Sequence, residues 1–266
     1  MINVIVCGGC GKMGSTVAQL VRQNENMKLA GIIESPSHPD IGKDWGTTVG
    51  LGKTGIIIKD NLEEVIQETD QVLEFTNPKA SLQHLEIISK YKKAMIIGTT
   101  GFSNEEIAKM KSASQNAPIL FSPNMSLGVN LLYKLAAETA AALGDDYDIE
   151  IVEAHHRFKK DSPSGTAKKL AQEIAKAKGI NLDEVAIYGR EGIIGERGRG
   201  EIGIHSIRGG DITGEHTVMF TALGERLELT HKAHNRDTFA YGTIQAIKFM
   251  EGKSAGFYEM KDVLNI

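Results

Sequence analysis

The stretch Ile2-Asn-Val-Ile-Val-Cys-Gly-Gly-Cys-Gly-Lys-Met-Gly14 decides the fold. Ile2 to Val6 is a short apolar, β-branched run of strand type. The glycines follow without a gap, as G-x-G-x-x-G at Gly9, Gly11 and Gly14, or as G-x-x-G-x-x-G from Gly8. Behind them Met13, Val17, Leu20 and Val21 recur at helical spacing, and a second apolar run, Lys28 to Ile33, ends in Glu34. Such glycines permit a tight turn and close approach of the backbone to a pyrophosphate, at the positive end of the helix that follows. An acid about twenty residues further on is placed to bond a ribose diol. The blander reading, a glycine-rich turn, leaves Glu34 to chance.

The alternation continues downstream. Gly55 to Lys59, Gln71 to Phe75, Ala94 to Gly98 and Pro118 to Phe121 read as strands. Leu62 to Glu68, Pro78 to Tyr91 and a helix opened by the capping box Ser103-Asn-Glu-Glu106 lie between them. The expected class is α/β, with an N-terminal Rossmann-type, doubly wound parallel sheet. After a helix over Leu127 to Leu143 the character changes. Ile202 to Ile207, Glu215 to Leu223 and Arg226 to His231 are successive strands, which predicts a C-terminal α+β domain with a mixed sheet. The expected division is a dinucleotide-binding domain over 1–126, completed by 240–266, and a second domain over 127–239.

The densest chemistry lies in Glu153-Ala-His-His-Arg-Phe-Lys-Lys-Asp-Ser-Pro-Ser-Gly-Thr166. The apolar strand before it closes at Val152, so the run is expected on a loop, with Thr166 to Lys178 helical and Gly179 as its stop. Ser164, Gly165 and Thr166 then form a helix N-terminus, where free N–H groups favour an anion. Arg157, Lys159 and Lys160 add positive charge, and a histidine exchanges protons readily near neutral pH. Ordinary loops also carry His-His and Lys-Lys pairs, and the serine could be a plain cap. A metal site is the other sharp option, since six of the eight histidines follow residue 154. However, His155 and His156 point to opposite faces of an extended segment, and the later histidines lack ligand spacing. In the first domain Gly98-Thr99-Thr100 and Ser122-Pro123-Asn124-Met125 are small, donor-rich loops after strands, suited to the nicotinamide half of a dinucleotide or to plain turns.

Composition excludes other classes. A formal net charge of −4 gives no reason to expect nucleic acid or a membrane surface as partner. No apolar stretch reaches the ~18 residues of a membrane span, and the N-terminus lacks a signal-peptide pattern, so the expected location is cytoplasmic. The only cysteines, Cys7 and Cys10, form C-x-x-C, but they sit in or beside the glycine loop and read as small fillers.

With these residues assembled, the chain resembles the 4-hydroxy-tetrahydrodipicolinate (dihydrodipicolinate) reductase family. The matching stretches are Gly8 to Gly14, Phe75 to Pro78, Ile97 to Phe102, Glu153 to Arg157, Asp161 to Ala167, Gly189 to Gly192, Gly209 to His216 and Gly224 to Ala233. The resemblance implies NAD(P)H-dependent reduction of a small cyclic dicarboxylate with loss of water, and a homotetramer assembled through the second sheet. It implies that His155 is proton donor and acceptor, that Lys159 is proton donor, and that His156, Gly165 and Thr166 hold the substrate. Gly8, Gly9, Cys10, Gly11, Lys12, Met13, Glu34, Gly98, Thr99, Thr100, Ser122, Pro123, Asn124 and Met125 would hold NADH or NADPH. One departure is visible: many members carry a basic residue after the strand-2 acid, whereas Glu34 is followed by Ser35-Pro36. That favours NADH, unless Lys12 or Lys43 supplies the missing charge.

Overall fold

The structure is a computed structural model describing residues 1–266. The chain divides into two compact units, Met1–Ser126 with Phe239–Asn265, and Leu127–Thr238 with Ile266.

The first unit contains β1 (Ile2–Cys7), α1 (Lys12–Gln23), β2 (Met27–Ile33), α2 (Trp45–Thr48), β3 (Ile58–Lys59), β4 (Gln71–Glu74), α3 (Pro78–Tyr91), β5 (Ala94–Ile97), α4 (Asn104–Ala113) and β6 (Pro118–Phe121). The second contains α5 (Leu127–Leu143), β7 (Asp148–His155), α6 (Gly165–Lys178), α7 (Leu182–Val185), β8 (Ala186–Tyr188), β9 (Ile202–Arg208), β10 (Gly214–Ala222) and β11 (Glu225–Ala233). From Phe239 onward α8 (Asp237–Met250), β12 (Gly256–Tyr258) and α9 (Met260–Leu264) belong to the first unit.

Both expected sheets are present. The first has seven strands in the order β12-β6-β5-β4-β1-β2-β3, every pair parallel. Its central strands are apolar on both faces, as burial beneath two helical layers requires, with Ile5, Val72, Met95 and Ile119 fully covered. The strand order reverses between β1 and β4, and ligands of such sheets lie at that switch point, beyond the carboxyl ends of the strands. The second sheet, β11-β10-β7-β9-β8, is mixed: β10 runs antiparallel to β7 and β11, while β7, β9 and β8 are parallel. Alternate residues Ile149, Ile151, Ile202, Ile204, Val218 and Phe220 face α5 and α6, burying Leu132, Ala136, Leu170 and Ile174 among them.

The structure departs from the sequence expectations at several elements. The strand expected over Gly55 to Lys59 keeps only Ile58 and Lys59, because Gly55 turns at φ +79 and Ile57 bridges Asp44 instead. The helix expected over Leu62 to Glu68 is two 3-10 turns, closed by Val65 N–H to the Leu62 carbonyl and by Glu68 N–H to that of Val65. Strands β8 and β12 have three residues each, too short for a periodic signal. Most consequentially, β7 does not close at Val152. It pairs with β10 as far as Ala154 and with β9 as far as His155, so Glu153 and His155 belong to the strand rather than to a loop.

Candidate active site

The glycine loop of the first unit is closely packed. Gly8 holds φ +79, and a Cβ there would lie 2.4 Å from the Phe75 carbonyl oxygen. A Cβ on Gly14 would lie 2.1 Å from the Gly8 carbonyl oxygen, so α1 seats directly on the loop. Gly11 begins α1 without a side-chain cap, which leaves first-turn N–H groups for an anion. The buried Trp45 indole donates to the Gly9 carbonyl at 2.8 Å and braces the loop from behind. In front, the Cys10 N–H donates to Glu34 Oε1 at 2.7 Å.

Gly8, Gly11 and Glu34 line one cleft of about 530 Å³, shared with Thr76, Lys79 and His84 from β4's end and α3. Gly9, Cys10, Lys12 and Met13 complete the loop and the helix entry beside it. Gly98, Thr99 and Thr100 follow β5, and Ser122, Pro123, Asn124 and Met125 follow β6, but none of the seven lines that cleft. Two of their hydroxyls shape loops. Thr99 Oγ1 accepts the Thr76 N–H at 3.0 Å, and Ser122 Oγ donates to the Asn124 carbonyl at 2.7 Å. Met125 is buried, with its carbonyl against Gly242 of α8.

Beneath the cleft, the fully buried Glu74 is hydrogen-bonded by Thr76 and, at 2.7 Å, by His84 Nδ1. Donor atoms of Cys7, Glu74 and His84 lie within 4.8 Å of one another, as do those of Cys10, Glu34 and His38. Without an ion, both thiols stay protonated at neutral pH. Burial first, then the carboxylate of Glu74, raises Cys7; burial, then Glu34, pushes Cys10 up to about 12. Trp45, Thr76, Lys79 and the Glu74–His84 pair are not among the expected site residues, although Thr76 lies in the Phe75-Thr-Asn-Pro78 stretch that follows the strand.

In the second unit, the polar end of the helix-facing sheet surface gathers the chemistry. Glu153 and His155 stand two residues apart on the same face of β7, with His155 Nδ1 2.5 Å from Glu153 Oε2. Arg208, opposite His155 on β9, clamps both carboxylate oxygens at 2.8 Å, and the Ser164 N–H reaches Oε1 at 3.1 Å. Burial pushes the Glu153 carboxyl up; the bonds from His155, Arg208, Ser206 and Ser164 outweigh it and hold it well below the usual carboxylate range.

The His216 ring, on β10, stands edge-on to His155 at 5.2 Å, its Nε2 3.1 Å from Ser164 Oγ. Burial first, and then the neighbouring His155, lower His216 to about 3, so it is neutral at physiological pH. Ser164 caps α6 through the Ala167 N–H. Gly165 and Thr166 form its first turn, and a Cβ at Gly165 would meet nothing within 4 Å, so that surface is open. Thr166 is tied to the Tyr133 hydroxyl, which burial pushes up to about 12. Lys159 Nζ pairs with Asp161 at 2.9 Å, and His156 lies 6.2 Å from the exposed Phe158 ring. A neighbouring cavity of about 680 Å³ runs past Ser162, Lys168, Arg190 and His205, but none of the five expected site residues lines it.

The charge network behind the sheet predicts acid sensitivity. Glu150, on the opposite face of β7, accepts from Arg190, Arg197 and His205 at 3.0, 3.0 and 2.7 Å. Burial raises its carboxyl, but these donors bring it down to about 2 from an ordinary 4.5. A depressed carboxyl stabilises the fold above its unfolded value, and that contribution is lost as pH falls through the folded one. His216 adds to the same trend, because the unfolded chain takes up its proton below 6.5 and the folded one only near 3. Stability against urea is therefore expected to fall from about pH 6.5 downward, and Glu150→Gln to lose the part of the slope between 4.5 and about 2. A Glu150→Gln chain with the same slope there as wild type would contradict this.

Comparison with known proteins covers both units. The family model described as "Dihydrodipicolinate reductase, N-terminus" matches residues 2–125, and "Dihydrodipicolinate reductase, C-terminus" matches residues 128–264. The 4-hydroxy-tetrahydrodipicolinate reductase of Syntrophus aciditrophicus (strain SB) is 50% identical over 264 residues, 99% of this chain and 98% of that one. That of Citrifermentans bemidjiense is 46% identical over 266 residues, the whole of both chains. Among solved structures, the dipicolinate-bound dihydrodipicolinate reductase from Paenisporosarcina sp. TG-14 superposes with a TM-score of 0.77 at 29% identity, covering 97% of each chain.

Proposed function

This chain belongs to the dihydrodipicolinate reductase family, and from that membership we propose that it catalyses the NAD(P)H-dependent reduction of (2S,4S)-4-hydroxy-2,3,4,5-tetrahydrodipicolinate to 2,3,4,5-tetrahydrodipicolinate, with loss of water, in lysine and diaminopimelate biosynthesis. The observation that carries the catalytic part is the His155–Glu153 contact of 2.5 Å, beside the capped, open N-terminus of α6. A proton-exchanging imidazole next to an anion-accepting helix end is what a dicarboxylate undergoing protonation requires.

The residues divide the work. The N–H groups at Gly165 and Thr166, with His156, receive the substrate carboxylates. Loss of water leaves a conjugated imine, and reduction at ring carbon 4 gives an enamine that must take up a proton. Lys159 donates it, and His155 exchanges protons with the reacting ring. The dinucleotide, when bound, supplies the hydride. Its fit rests on the crowded glycines, because side chains at Gly8 and Gly14 would fill the space that the loop needs. The uncapped start of α1 suits the pyrophosphate, and Glu34 the adenosine ribose. Thr99, Thr100 and the Ser122–Met125 loop serve the nicotinamide half.

NADH is the favoured donor. Glu34 is held at the cleft by the Cys10 N–H with no cation following it, and Lys43 is paired with Asp40 at 2.7 Å. A 2′-phosphate beside that carboxylate is repelled, for a preference on the order of tenfold in kcat/KM. The experiment is oxidation of each cofactor at 340 nm, with substrate generated in situ from pyruvate and aspartate semialdehyde by the preceding synthase. Synthase-dependent oxidation is expected with both and faster with NADH; a higher kcat/KM with NADPH removes the Glu34 argument, and no oxidation with either removes the reaction.

The proposed assembly is a homotetramer through the second sheet, whose helix-free face and edges leave Tyr188, Ile207 and Leu227 exposed. Sedimentation at a dimer's or monomer's mass would refute it. No helix is long and apolar enough to cross a membrane. The proposed site of action is the cytoplasm, where reduced nicotinamide is available.

A further inference from the structure

We propose that Glu153 is the positioning residue of the proton-transfer centre: it fixes the His155 tautomer, with Nδ1 protonated, so that Nε2 is the nitrogen that exchanges the proton. The proposal rests on the catalytic reading of His155.

Donors and acceptors must match at this carboxylate. An ionised carboxylate only accepts hydrogen bonds. Glu153 Oε1 receives the Ser164 N–H at 3.1 Å and Arg208 Nη2 at 2.8 Å; Oε2 receives Arg208 Nη1 at 2.8 Å and faces His155 Nδ1 at 2.5 Å. The Ser164 N–H and both guanidinium contacts are unambiguous donors, and the Ser206 hydroxyl also donates to the carboxylate, so the contact with His155 can be satisfied only if Nδ1 carries the hydrogen. Glu153 is fully buried, and no rotation toward water relieves the choice. A neutral His155 therefore presents an unprotonated Nε2, and a charged one presents an Nε2–H.

Two further features make the carboxylate a stable reference point. The guanidinium fork binds it in a bidentate manner, the most orientation-specific of the ion pairs. The Ser164 N–H ties the same carboxylate to the cap of α6, so one group sets the imidazole and the anion-accepting helix end together. On the far side of the ring, a Cβ on Gly214 would lie 3.1 Å from Nε2. Glycine at that position keeps a side chain off Nε2.

The test is Glu153→Gln in the full-length protein. The glutamine carbonyl, in place of Oε1, still accepts from Ser164 and Arg208 Nη2; its NH2, in place of Oε2, turns toward His155, forces Nδ1 to become the acceptor and gives up the Arg208 Nη1 bond. Expected are a kcat lowered by about 10²–10⁴, as for a mis-set tautomer or a lost proton-transfer group, a substrate KM within about threefold, and unchanged NADH binding. Nitrogen-15 NMR of the histidine rings, with His155 assigned by its loss in His155→Gln, should show the neutral tautomer reversed in Glu153→Gln. The wild-type spectrum decides independently of how the variant folds: an Nε2-protonated neutral His155 overturns the proposal. So does a Glu153→Gln kcat within about threefold of wild type while His155→Gln is inactive. A fully active His155→Gln instead removes the catalytic reading on which the proposal stands.

Discussion

Turnover is expected to fall by at least about 10³-fold when His155→Gln and Lys159→Ala are combined, with NADH binding retained. Each group taken alone supports a proton transfer worth about 10²–10⁴ in rate, and groups acting on one step combine less than multiplicatively. The fold should tolerate both changes. A glutamine amide at 155 can still donate toward Glu153, so the buried carboxylate keeps a donor in the place of the imidazole. Lys159 pairs with Asp161, whose side chain is 58% exposed, and such a pair contributes about 0–1 kcal/mol. The glycine loop and Glu34 belong to the other unit, so a fluorescence titration with NADH should match wild type. A double variant with more than a tenth of the wild-type kcat would remove both residues from the chemistry. Lost NADH binding would indicate damage to the fold.

How far the sequence reveals this site depends on the range of the contacts involved. The loop from Gly8 to Gly14 and its acid at Glu34 are legible because each feature is local and the order is distinctive. The same holds for α6, where Ser164 caps and Gly179 stops the helix at the positions read from the chain. Glu153 and His155 read as loop residues because the apolar run ends at Val152, and polar residues facing a helical layer break the alternation that marks a strand. What extends β7 is pairing with partners roughly 50 and 60 residues away. Arg208, 55 residues from Glu153, and Trp45, 36 from Gly9, are invisible for the same reason, as nothing local requires them. The three-residue strands β8 and β12 follow from sheet edges rather than from their own composition.

Gly14→Ala is expected to weaken NADH binding by roughly 100-fold or more, even though alanine is the better helix former. In an open helix the change stabilises by up to about 1 kcal/mol. At Gly14 the new Cβ would stand 2.1 Å from the Gly8 carbonyl oxygen and 2.7 Å from its carbon, both backbone atoms that no rotamer can move. Overpacking of this kind costs about 1–3 kcal/mol. The relief available is to part α1 from the loop, which withdraws the first-turn N–H groups from the pyrophosphate. Gly165→Ala is the matched control at the start of the other ligand-facing helix. Its Cβ would meet nothing within 4 Å, so the fold should hold or gain slightly and NADH binding should not change, while substrate KM rises as the methyl group covers the anion-accepting turn. Opposite signs in Tm for the same chemical substitution are therefore expected, read by thermal unfolding beside the NADH titration. If Gly14→Ala binds NADH within threefold of wild type, the glycine loop is a structural turn and the dinucleotide lies elsewhere.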